Sequence, residues 1–288
     1  MDSIRAYYHL VKPGIVYSNV IATMAGFFLA FAQVNEFDLS VFLGVTVGTA
    51  LVIASACVLN NHIDRGIDKK MIRTSKRATA TGIISSKSAI TYTVILGMIG
   101  FTVLLISTNL LTVLMGVLAY VSYIVLYGIT KRTTVHGTLV GAIAGGLPPV
   151  AGYTALTNRL DVAALLLFLV LIAWQMPHFY AIAMRRQADY AEAGIPVLPV
   201  IKGIYATKVQ IVWYVLLFII VNILFTVAGY TGYIYLVIMT VAGAMWLVKG
   251  LRGFTTDTDE KWALKMFLFS LFILLLLCLM LAVGGLLP

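Results

Sequence analysis

The chain has 288 residues, of which 61% are hydrophobic and only 11% are charged. A soluble globular domain carries roughly 25% charged residues, so this composition excludes an ordinary soluble domain, and the mean hydropathy of +1.00 agrees. Twenty Lys and Arg against eleven Asp and Glu give a net charge of +9. With so little polar surface, the excess indicates cytoplasmic loops of a membrane protein and not a nucleic-acid groove. Cys57 and Cys278 form no metal-binding or disulfide pattern.

Nine stretches are apolar and long enough to cross the hydrocarbon core, which takes about 20 residues of helix. In chain order they cover about 14–33, 38–59, 88–107, 110–128, 138–157, 161–182, 209–229, 232–250 and 265–287. The weakest is 138–157, where glycines and two prolines interrupt the run; we interpret it as a kinked span. Its small residues would permit close approach of another helix or of a ligand. The sequence therefore predicts an all-α membrane protein with a single integral-membrane domain over residues 1–288.

The basic residues are distributed unevenly over the predicted loops. Nineteen of the 20 Lys and Arg lie on one side of the membrane, and Arg159 is alone on the other. Because cytoplasmic loops carry the excess of Lys and Arg, this pattern places the amino terminus in the cytoplasm and the carboxyl terminus outside. With the two termini on opposite sides, the chain must cross the membrane an odd number of times. The charge pattern therefore supports nine spans independently of hydropathy. Two cytoplasmic loops, about 60–87 and 183–208, are long enough to cover an active site.

The first long loop opens with the sequence NNHIDRGID over residues 60–68. On a helix that continues from the second span, Asn60, Asp64 and Asp68 are four residues apart and project from one face, which Asn61 borders. Two carboxylates ~6 Å apart repel by roughly 3 kcal/mol at an effective dielectric constant near 20. A divalent cation relieves this repulsion, and Mg²⁺ is commonly held by one or two carboxylates together with substrate phosphates.

A basic cluster follows within a few residues of the second aspartate. Arg73, Lys76 and Arg77 are donors of the kind that binds phosphate. A cation site beside this cluster, at the mouth of an apolar bundle, suits a ligand with a diphosphate head and a hydrocarbon tail. Two alternatives stay open. The basic residues can reflect the positive-inside rule alone, or the aspartates can belong to a solvated helix end and pair with Arg65, Lys69 and Lys70.

A second group of unusual residues lies near the end of the sixth span. Trp174 and His178 stand one helical turn apart, and Arg185 and Arg186 follow at the membrane surface. The plainer interpretation is an aromatic-belt tryptophan and a hydrogen-bonded interfacial histidine. A polar side chain at this depth in a bundle is also a candidate functional group, and the two arginines could pair with the carboxylates of an anionic substrate.

At these residues the chain resembles the UbiA superfamily of membrane-embedded prenyltransferases. The aspartate motif within 57–68 is typical of the superfamily, whereas the stretches Trp-Gln-Met-Pro-His at 174–178 and Ile-Pro-Val-Leu-Pro at 195–199 resemble its haem-accepting branch. The segments 12–14 and 136–149 also carry the resemblance. Two departures are visible: the general motif begins Asn-Asp, whereas this chain has Asn61 in the second place, and the second aspartate-rich segment of many relatives is reduced to a few polar residues.

The resemblance implies nine transmembrane helices in a UbiA-like bundle around a central cavity, in the bacterial cytoplasmic membrane. It implies farnesyl diphosphate and haem b as substrates, Mg²⁺ as cofactor, and contact with the terminal oxidase assembly or haem A synthase. The metal ligands would be Asn60, Asn61, Asp64 and Asp68. The residues that would bind diphosphate are Arg65, Arg73, Lys76, Arg77, Lys131 and Arg132. The residues that would place haem are Trp174, His178, Arg185 and Arg186.

Two details of the expected site stay open from the sequence. His178 would place haem either by axial ligation of the iron or by a hydrogen bond to a propionate. An allylic cation formed from the prenyl chain would need aromatic walls, for which Tyr120, Tyr123, Tyr127 and Tyr153 are candidates.

Three other functions compete with this interpretation. The nearest is a prenyltransferase with an aromatic acceptor such as a quinone precursor. A cation or lipid transporter belongs to a different class. The lack of acidic residues in the interior of the predicted spans and of a clear inverted repeat counts against it. A haem-delivery protein without catalysis would leave the diphosphate-type cluster unexplained.

Overall fold

The computed structural model describes residues 3–288, and within them the chain is all helix with no strand. Fourteen α-helices, a π-helix and a 3₁₀ turn follow one another in the order α1 (Ser3–Leu10), α2 (Pro13–Val34), α3 (Leu39–Asp68), α4 (Ala78–Thr81), α5 (Ser86–Ser107), α6 (Leu110–Val121), the π-helix (Ser122–Tyr127), α7 (Gly128–Thr133), α8 (Gly137–Thr157), α9 (Val162–Arg185), α10 (Gln187–Glu192), α11 (Leu198–Ile201), α12 (Gly203–Val227), α13 (Tyr233–Leu251), the 3₁₀ turn (Arg252–Thr255) and α14 (Asp259–Gly284).

Nine segments of the described chain are long and apolar enough to cross a membrane: α2, α3, α5, α6 through α7, α8, α9, α12, α13 with its 3₁₀ turn, and α14. The predicted all-α protein with nine spans is confirmed. Several helices extend past the predicted apolar stretches, because α3 continues to Asp68 while α12 begins at Gly203 and α14 at Asp259. Hydropathy marks only the part of a helix that lies in hydrocarbon, whereas a helix can continue beyond it into a polar region.

Short polar residues fix the helix starts on the side opposite the basic loops. Asp38 Oδ1 accepts hydrogen bonds from the backbone amides of Ser40 at 2.8 Å and Val41 at 3.1 Å. Asn109 and Asp161 cap α6 and α9 in the same way. Such caps satisfy amides that lack a partner within the helix. The connections are short, so consecutive spans run antiparallel, and the carboxyl ends of α3 and α9 share a side with the amino end of α2.

The helices α2 and α8 approach so closely that glycine is needed where they touch. A Cβ on Gly26 would overlap the backbone carbonyl of Pro149, and a Cβ on Gly152 would overlap the carbonyl of Thr23. The prediction that small residues of the fifth span permit close approach of another helix is confirmed. The helix α8 runs through both of its prolines.

Six spans surround a cavity of about 550 Å³, a volume typical of small-molecule sites. They are α2, α3, α6 with the π-helix, α8, α9 and α14. The other three spans, α5, α12 and α13, add no side chain to the cavity wall, and their outer faces carry exposed apolar residues such as Met98, Trp213 and Val237. Apolar side chains facing outward and a cavity inside are the arrangement expected of a bundle in lipid.

Candidate active site

The aspartate motif occupies the last turns of α3. Asn60, Asp64 and Asp68 are buried, with 5%, 9% and 4% of their surfaces exposed. Because α3 continues as one helix to Asp68, the spacing of four residues places all three side chains along one face. Buried carboxylates require compensating charge or hydrogen bonds, so their partners determine what this helix end can bind.

Basic side chains from elsewhere in the chain pair with both aspartates. Lys131 Nζ donates to Asp64 Oδ2, and Arg132 Nη2 donates to Asp64 Oδ1 at 2.8 Å. Arg77 Nη1 lies 2.9 Å from each carboxylate oxygen of Asp68. Three cations that the resemblance assigns to diphosphate therefore converge on the two carboxylates that it assigns to the metal.

Three other basic residues that were predicted to bind diphosphate, Arg65, Arg73 and Lys76, lie at the surface of the protein. Arg65 is exposed and donates to the carbonyl of His62 at 2.8 Å, so the alternative in which it pairs with the aspartates is wrong. Arg73 and Lys76 are exposed on the turns between α3 and α4, and neither forms an ion pair within residues 3–288. Thr74 holds this loop to the end of α3 by donating to the Asp68 carbonyl at 3.0 Å. Their role in binding diphosphate stays a prediction.

Lys12 is a site residue that the sequence pattern did not single out. Its Nζ donates to Asn60 Oδ1 at 2.8 Å, and its side chain lines the cavity. Its φ of 53° lies in the left-handed region, which costs about 1–2 kcal/mol for a residue other than glycine. Strain of this kind concentrates at functional sites. Burial lowers the pKa of Lys12 to about 8, so a bound anion beside Nζ would stabilise the charged form.

The aspartates lie just behind the cavity wall and connect to it through their neighbours. Asn60 and the two aspartates are not among the residues that line the cavity, whereas Lys12, Arg77 and Tyr123 are. Tyr123 also donates to Asn60 Oδ1 at 3.3 Å. The polar end of the cavity therefore presents an ammonium, a guanidinium and a phenol, and the carboxylates lie directly behind these groups.

A π-helix interrupts the fourth span where the cavity tyrosines lie. The Tyr123 and Tyr127 rings stack with centroids 5.6 Å apart, and Lys131 Nζ lies 5.0 Å from the Tyr127 ring centroid. Tyr120 and Tyr123 line the cavity. Such π-helical turns are rare and are frequent at functional sites. The π-helix therefore contributes Tyr123 to the cavity wall. Tyr127 is absent from the lining, so it is wrong as a candidate for the wall, and its ring lies between Tyr123 and Lys131.

Tyr153 is wrong as a candidate for the cavity wall. It is absent from the cavity lining, and its hydroxyl donates to Asp161 Oδ2 at 2.8 Å. Tyr153 lies near the carboxyl end of α8, and Asp161 caps the next helix, α9. The hydroxyl therefore ties two consecutive spans together on the side opposite the basic loops.

His178 and Trp174 line the cavity from α9. The Trp174 ring stacks on the imidazole with centroids 4.9 Å apart and an interplanar angle of 24°, and the Phe267 ring centroid lies 5.0 Å from that of His178. His178 Nδ1 lies 2.7 Å from Ser270 Oγ, and Trp174 Nε1 donates to the Ser270 carbonyl at 2.7 Å. The helix α14 thus holds both side chains in one orientation.

The two arginines at the end of α9 are not brought to the cavity. Arg186 is exposed, and the guanidinium of Arg185 lies 6.0 Å from the Phe267 ring centroid. Arg185 Nε is buried and has no hydrogen-bond partner among residues 3–288. Neither side chain lines the cavity that contains His178. Their pairing with an anionic substrate stays a prediction.

The donor set fits a magnesium ion shared with a diphosphate. Mg²⁺ takes oxygen ligands, and Asn60, Asp64 and Asp68 supply amide and carboxylate oxygens. In the part of the chain that the structure describes, no group of three or more His, Cys, Asp or Glu could hold a metal by itself. Asn61 differs from these three residues, because its Nδ2 donates to the Leu10 carbonyl at 2.8 Å. Its buried Oδ1 has no hydrogen-bond partner among residues 3–288. Its amide is turned toward α1, and its role as a ligand stays a prediction.

Close relatives in sequence cover nearly the whole chain. Residues 19–285 match the model of the UbiA prenyltransferase family. A protoheme IX farnesyltransferase of Edwardsiella ictaluri (strain 93-146) is 44% identical over 269 residues, which cover 93% of this chain and 90% of the relative. The protein of the same name from Yersinia pseudotuberculosis serotype O:1b is 43% identical over 281 residues, which cover 97% and 95%.

Solved structures share the fold. A digeranylgeranylglyceryl phosphate synthase aligns with a TM-score of 0.79 at 20% identity, covering 99% of each chain. A UbiA homologue from Archaeoglobus fulgidus bound to GPP and Mg²⁺ aligns with a TM-score of 0.71 at 14% identity, covering 94% of this chain and 98% of that one. At these identities the likeness concerns the fold alone. The match of the family model and the relatives above 40% identity lead to one conclusion: the chain belongs to the UbiA prenyltransferase family.

Proposed function

We propose that this integral membrane prenyltransferase transfers the farnesyl group of farnesyl diphosphate to a vinyl group of haem b. Water adds during the transfer, and diphosphate is released. The observation that carries this proposal is the 44% identity over 93% of the chain to a protein named protoheme IX farnesyltransferase. The cavity adds chemical support, because it joins a cationic end, with the carboxylates directly behind it, to an aromatic region that contains a histidine.

The charged end of the cavity would bind the diphosphate. Asp64 and Asp68, with Asn60, would hold Mg²⁺, which supplies positive charge to the leaving diphosphate oxygens when it is bound. The basic side chains that now pair with these carboxylates, Lys131 and Arg77 among them, would then contact phosphate oxygens. The Archaeoglobus homologue binds GPP and Mg²⁺ together, which supports this combination of ligands in the fold.

The apolar part of the cavity would shelter the reacting carbons. When the bond between the allylic carbon and the diphosphate oxygen breaks, positive charge develops on the prenyl chain. The ring faces of Tyr120 and Tyr123 line the cavity and favour positive charge nearby. The haem vinyl group then forms the new carbon–carbon bond, water adds to the cation left on the former vinyl carbon, and a proton is released.

His178 and Trp174 would place haem, with Arg185 and Arg186 directed at its carboxylates from the end of α9. We place the amino terminus and the loops 60–87 and 183–208 in the cytoplasm, over the site, with the carboxyl terminus outside. This arrangement follows the bias of basic residues. The bacterial origin of the similar proteins supports the bacterial inner membrane as the compartment. Contact with the terminal oxidase assembly or haem A synthase has no support in the fold or the relatives and stays a prediction.

A product assay tests the proposal. Detergent-solubilised protein is incubated with farnesyl diphosphate, Mg²⁺ and an equal mixture of haem b and 4-hydroxybenzoate, and the products are identified by mass. We expect haem that has gained a farnesyl group and one water. Prenylated 4-hydroxybenzoate would indicate the aromatic-acceptor alternative, and the absence of any prenylated product would overturn the proposal. The Asp64→Asn protein serves as the matched inactive control.

A further inference from the structure

The two ring nitrogens of His178 have different surroundings, because Nδ1 lies 2.7 Å from Ser270 Oγ and Nε2 forms no hydrogen bond with residues 3–288. We infer that His178 presents an unprotonated Nε2 to the haem iron as an axial ligand, and that Ser270 is the positioning residue that fixes this form. The inference rests on the proposed function, because it takes haem as the ligand of the cavity. It decides between iron ligation and a propionate hydrogen bond, the two roles that the sequence leaves open for this histidine.

For a neutral imidazole, the hydrogen bonds around Ser270 leave one arrangement of protons. Ser270 Oγ donates to the Phe267 carbonyl at 2.6 Å, and Ser270 Oγ lies 2.7 Å from His178 Nδ1. A serine hydroxyl has only one hydrogen to donate. Since that hydrogen lies on the Phe267 carbonyl, the short contact with the imidazole requires a hydrogen from the ring. His178 Nδ1–H therefore donates to Ser270 Oγ.

This donation determines the chemistry of the second ring nitrogen. A neutral imidazole carries one N–H, so a proton on Nδ1 leaves a lone pair on Nε2. A lone pair cannot donate a hydrogen bond to a propionate carboxylate, but it can bind a metal ion. Histidines that bind metals usually donate their other ring N–H to an oxygen of the protein. The contact between His178 and Ser270 has this form.

The imidazole is also held firmly and faces the cavity. The stacked ring of Trp174 and the nearby ring of Phe267 restrict its rotation, and Trp174 is itself bonded to the Ser270 carbonyl. His178 keeps 9% of its surface exposed and lines the cavity. No side chain or backbone group of residues 3–288 forms a hydrogen bond with Nε2. A planar cofactor in the cavity would therefore meet a fixed, unpaired nitrogen.

A haem titration without farnesyl diphosphate tests the inference separately from catalysis. The full chain in detergent is titrated with haem b, and the iron coordination is read from absorption and from resonance Raman spectra of the ferrous form. We expect an iron–histidine stretching mode in the natural protein and its loss in His178→Ala. Added imidazole should restore nitrogen ligation to the haem that co-elutes with that variant in gel filtration, which would show that the cavity is still folded. An iron–histidine mode that persists in His178→Ala would overturn the ligation.

Ser270 variants test the positioning role. Ser270→Ala should weaken haem binding by about 10-fold, the lower end of the effect of removing a hydrogen bond behind a metal ligand, and should alter the iron–histidine mode. Ser270→Thr retains the hydroxyl and should behave like the natural protein. Thr93→Ala is the matched control, because it removes a buried hydroxyl from α5, away from the cavity. An unchanged mode and affinity in Ser270→Ala would contradict the role of Ser270. If the natural protein ligates haem through His178 but makes no prenylated haem, only the proposed function fails.

Discussion

The carboxyl end of α3 lies directly behind one end of the cavity, whereas α9 lines its wall, and different physical means hold the polar side chains of the two regions. At the end of α3, two buried carboxylates are compensated by three cations from other helices and loops. In α9, an imidazole is held by a serine hydroxyl and by aromatic rings. Removing one partner of a buried ion pair destabilises the protein. A charged ligand can, however, take the place of one partner. Under the proposed function, the α3 end would exchange its ion pairs for an anion and a metal, whereas the α9 site would stay fixed.

The largest effect is expected from removing charge at the end of α3. Asp64→Asn or Asp68→Asn keeps the shape of the side chain but removes the charge that would hold Mg²⁺, and we expect turnover to fall by about 100-fold or more. Haem affinity should change little, because the α9 site does not depend on these carboxylates. Product formation and haem titration are measured on the same preparations. Glu36→Gln, at an exposed site before α3, is the control, and near-normal turnover in both aspartate variants would contradict the metal assignment.

A smaller effect is expected at Lys12. Lys12→Met removes an ammonium that lines the cavity and bonds to Asn60. A hydrogen bond to a charged group contributes about 1.5–3 kcal/mol, equivalent to about 10- to 100-fold in binding. We therefore expect kcat/KM for farnesyl diphosphate to fall by that factor, with haem affinity unchanged. Lys12→Arg keeps the charge and should recover much of the loss; equal kcat/KM values for the natural and Lys12→Met proteins would show that the ammonium does not bind substrate.

Trp174→Phe tests the fixed side of the comparison. The variant keeps an aromatic ring beside His178 but loses the hydrogen bond from Nε1 to the Ser270 carbonyl. A neutral hydrogen bond contributes about 0.5–1.5 kcal/mol, so haem affinity should fall by about 2- to 10-fold. The KM for farnesyl diphosphate should stay constant. A change in that KM as large as the change in haem affinity would show that the two regions are not independent.

The smallest effect on catalysis is expected at Tyr153, which lies outside the cavity. Tyr153→Phe removes the hydrogen bond to Asp161 and should destabilise the fold by about 0.5–1.5 kcal/mol without changing turnover at temperatures where the protein stays folded. Thermal unfolding in detergent and product formation are the two measurements. Tyr123→Phe is the informative counterpart, because Tyr123 lines the cavity and bonds to Asn60. Lower turnover of Tyr153→Phe at temperatures where the variant is fully folded would contradict the placement of Tyr153 outside the site.

The parts of the fold set by local pattern could be predicted from the sequence. Apolar stretches of the required length indicated nine spans, and the spacing of Asn60, Asp64 and Asp68 indicated their common face, because both depend only on helix geometry. The glycines of the fifth span indicated close packing, although not that α2 would be the partner. The motif near His178 indicated the haem-accepting branch, but not how the histidine is held.

The parts set by tertiary contact could not be predicted. Lys131 reaches Asp64 across 67 positions in the sequence, and Ser270 reaches His178 across 92. Neither pairing leaves a periodic signal, since one serine in an apolar span resembles any other. The π-helix that precedes Lys131 has no composition of its own. Tyr153 was assigned to the cavity on residue type alone, whereas its hydroxyl bonds to the cap residue Asp161. Lys12 did carry a signal, as a basic residue directly before a proline and the first span.

The most direct measurement is a metal-dependence assay with haem as the acceptor. Purified natural protein and its Asp68→Asn variant are given haem b and farnesyl diphosphate, in Mg²⁺ and again with excess EDTA, and farnesylated haem is quantified by mass. We expect product from the natural protein in Mg²⁺ only, with activity restored when Mg²⁺ is added back after EDTA, and little product from the variant in either condition. Equal yields in Mg²⁺ and EDTA, or equal yields from the two proteins, would contradict the metal-dependent transfer.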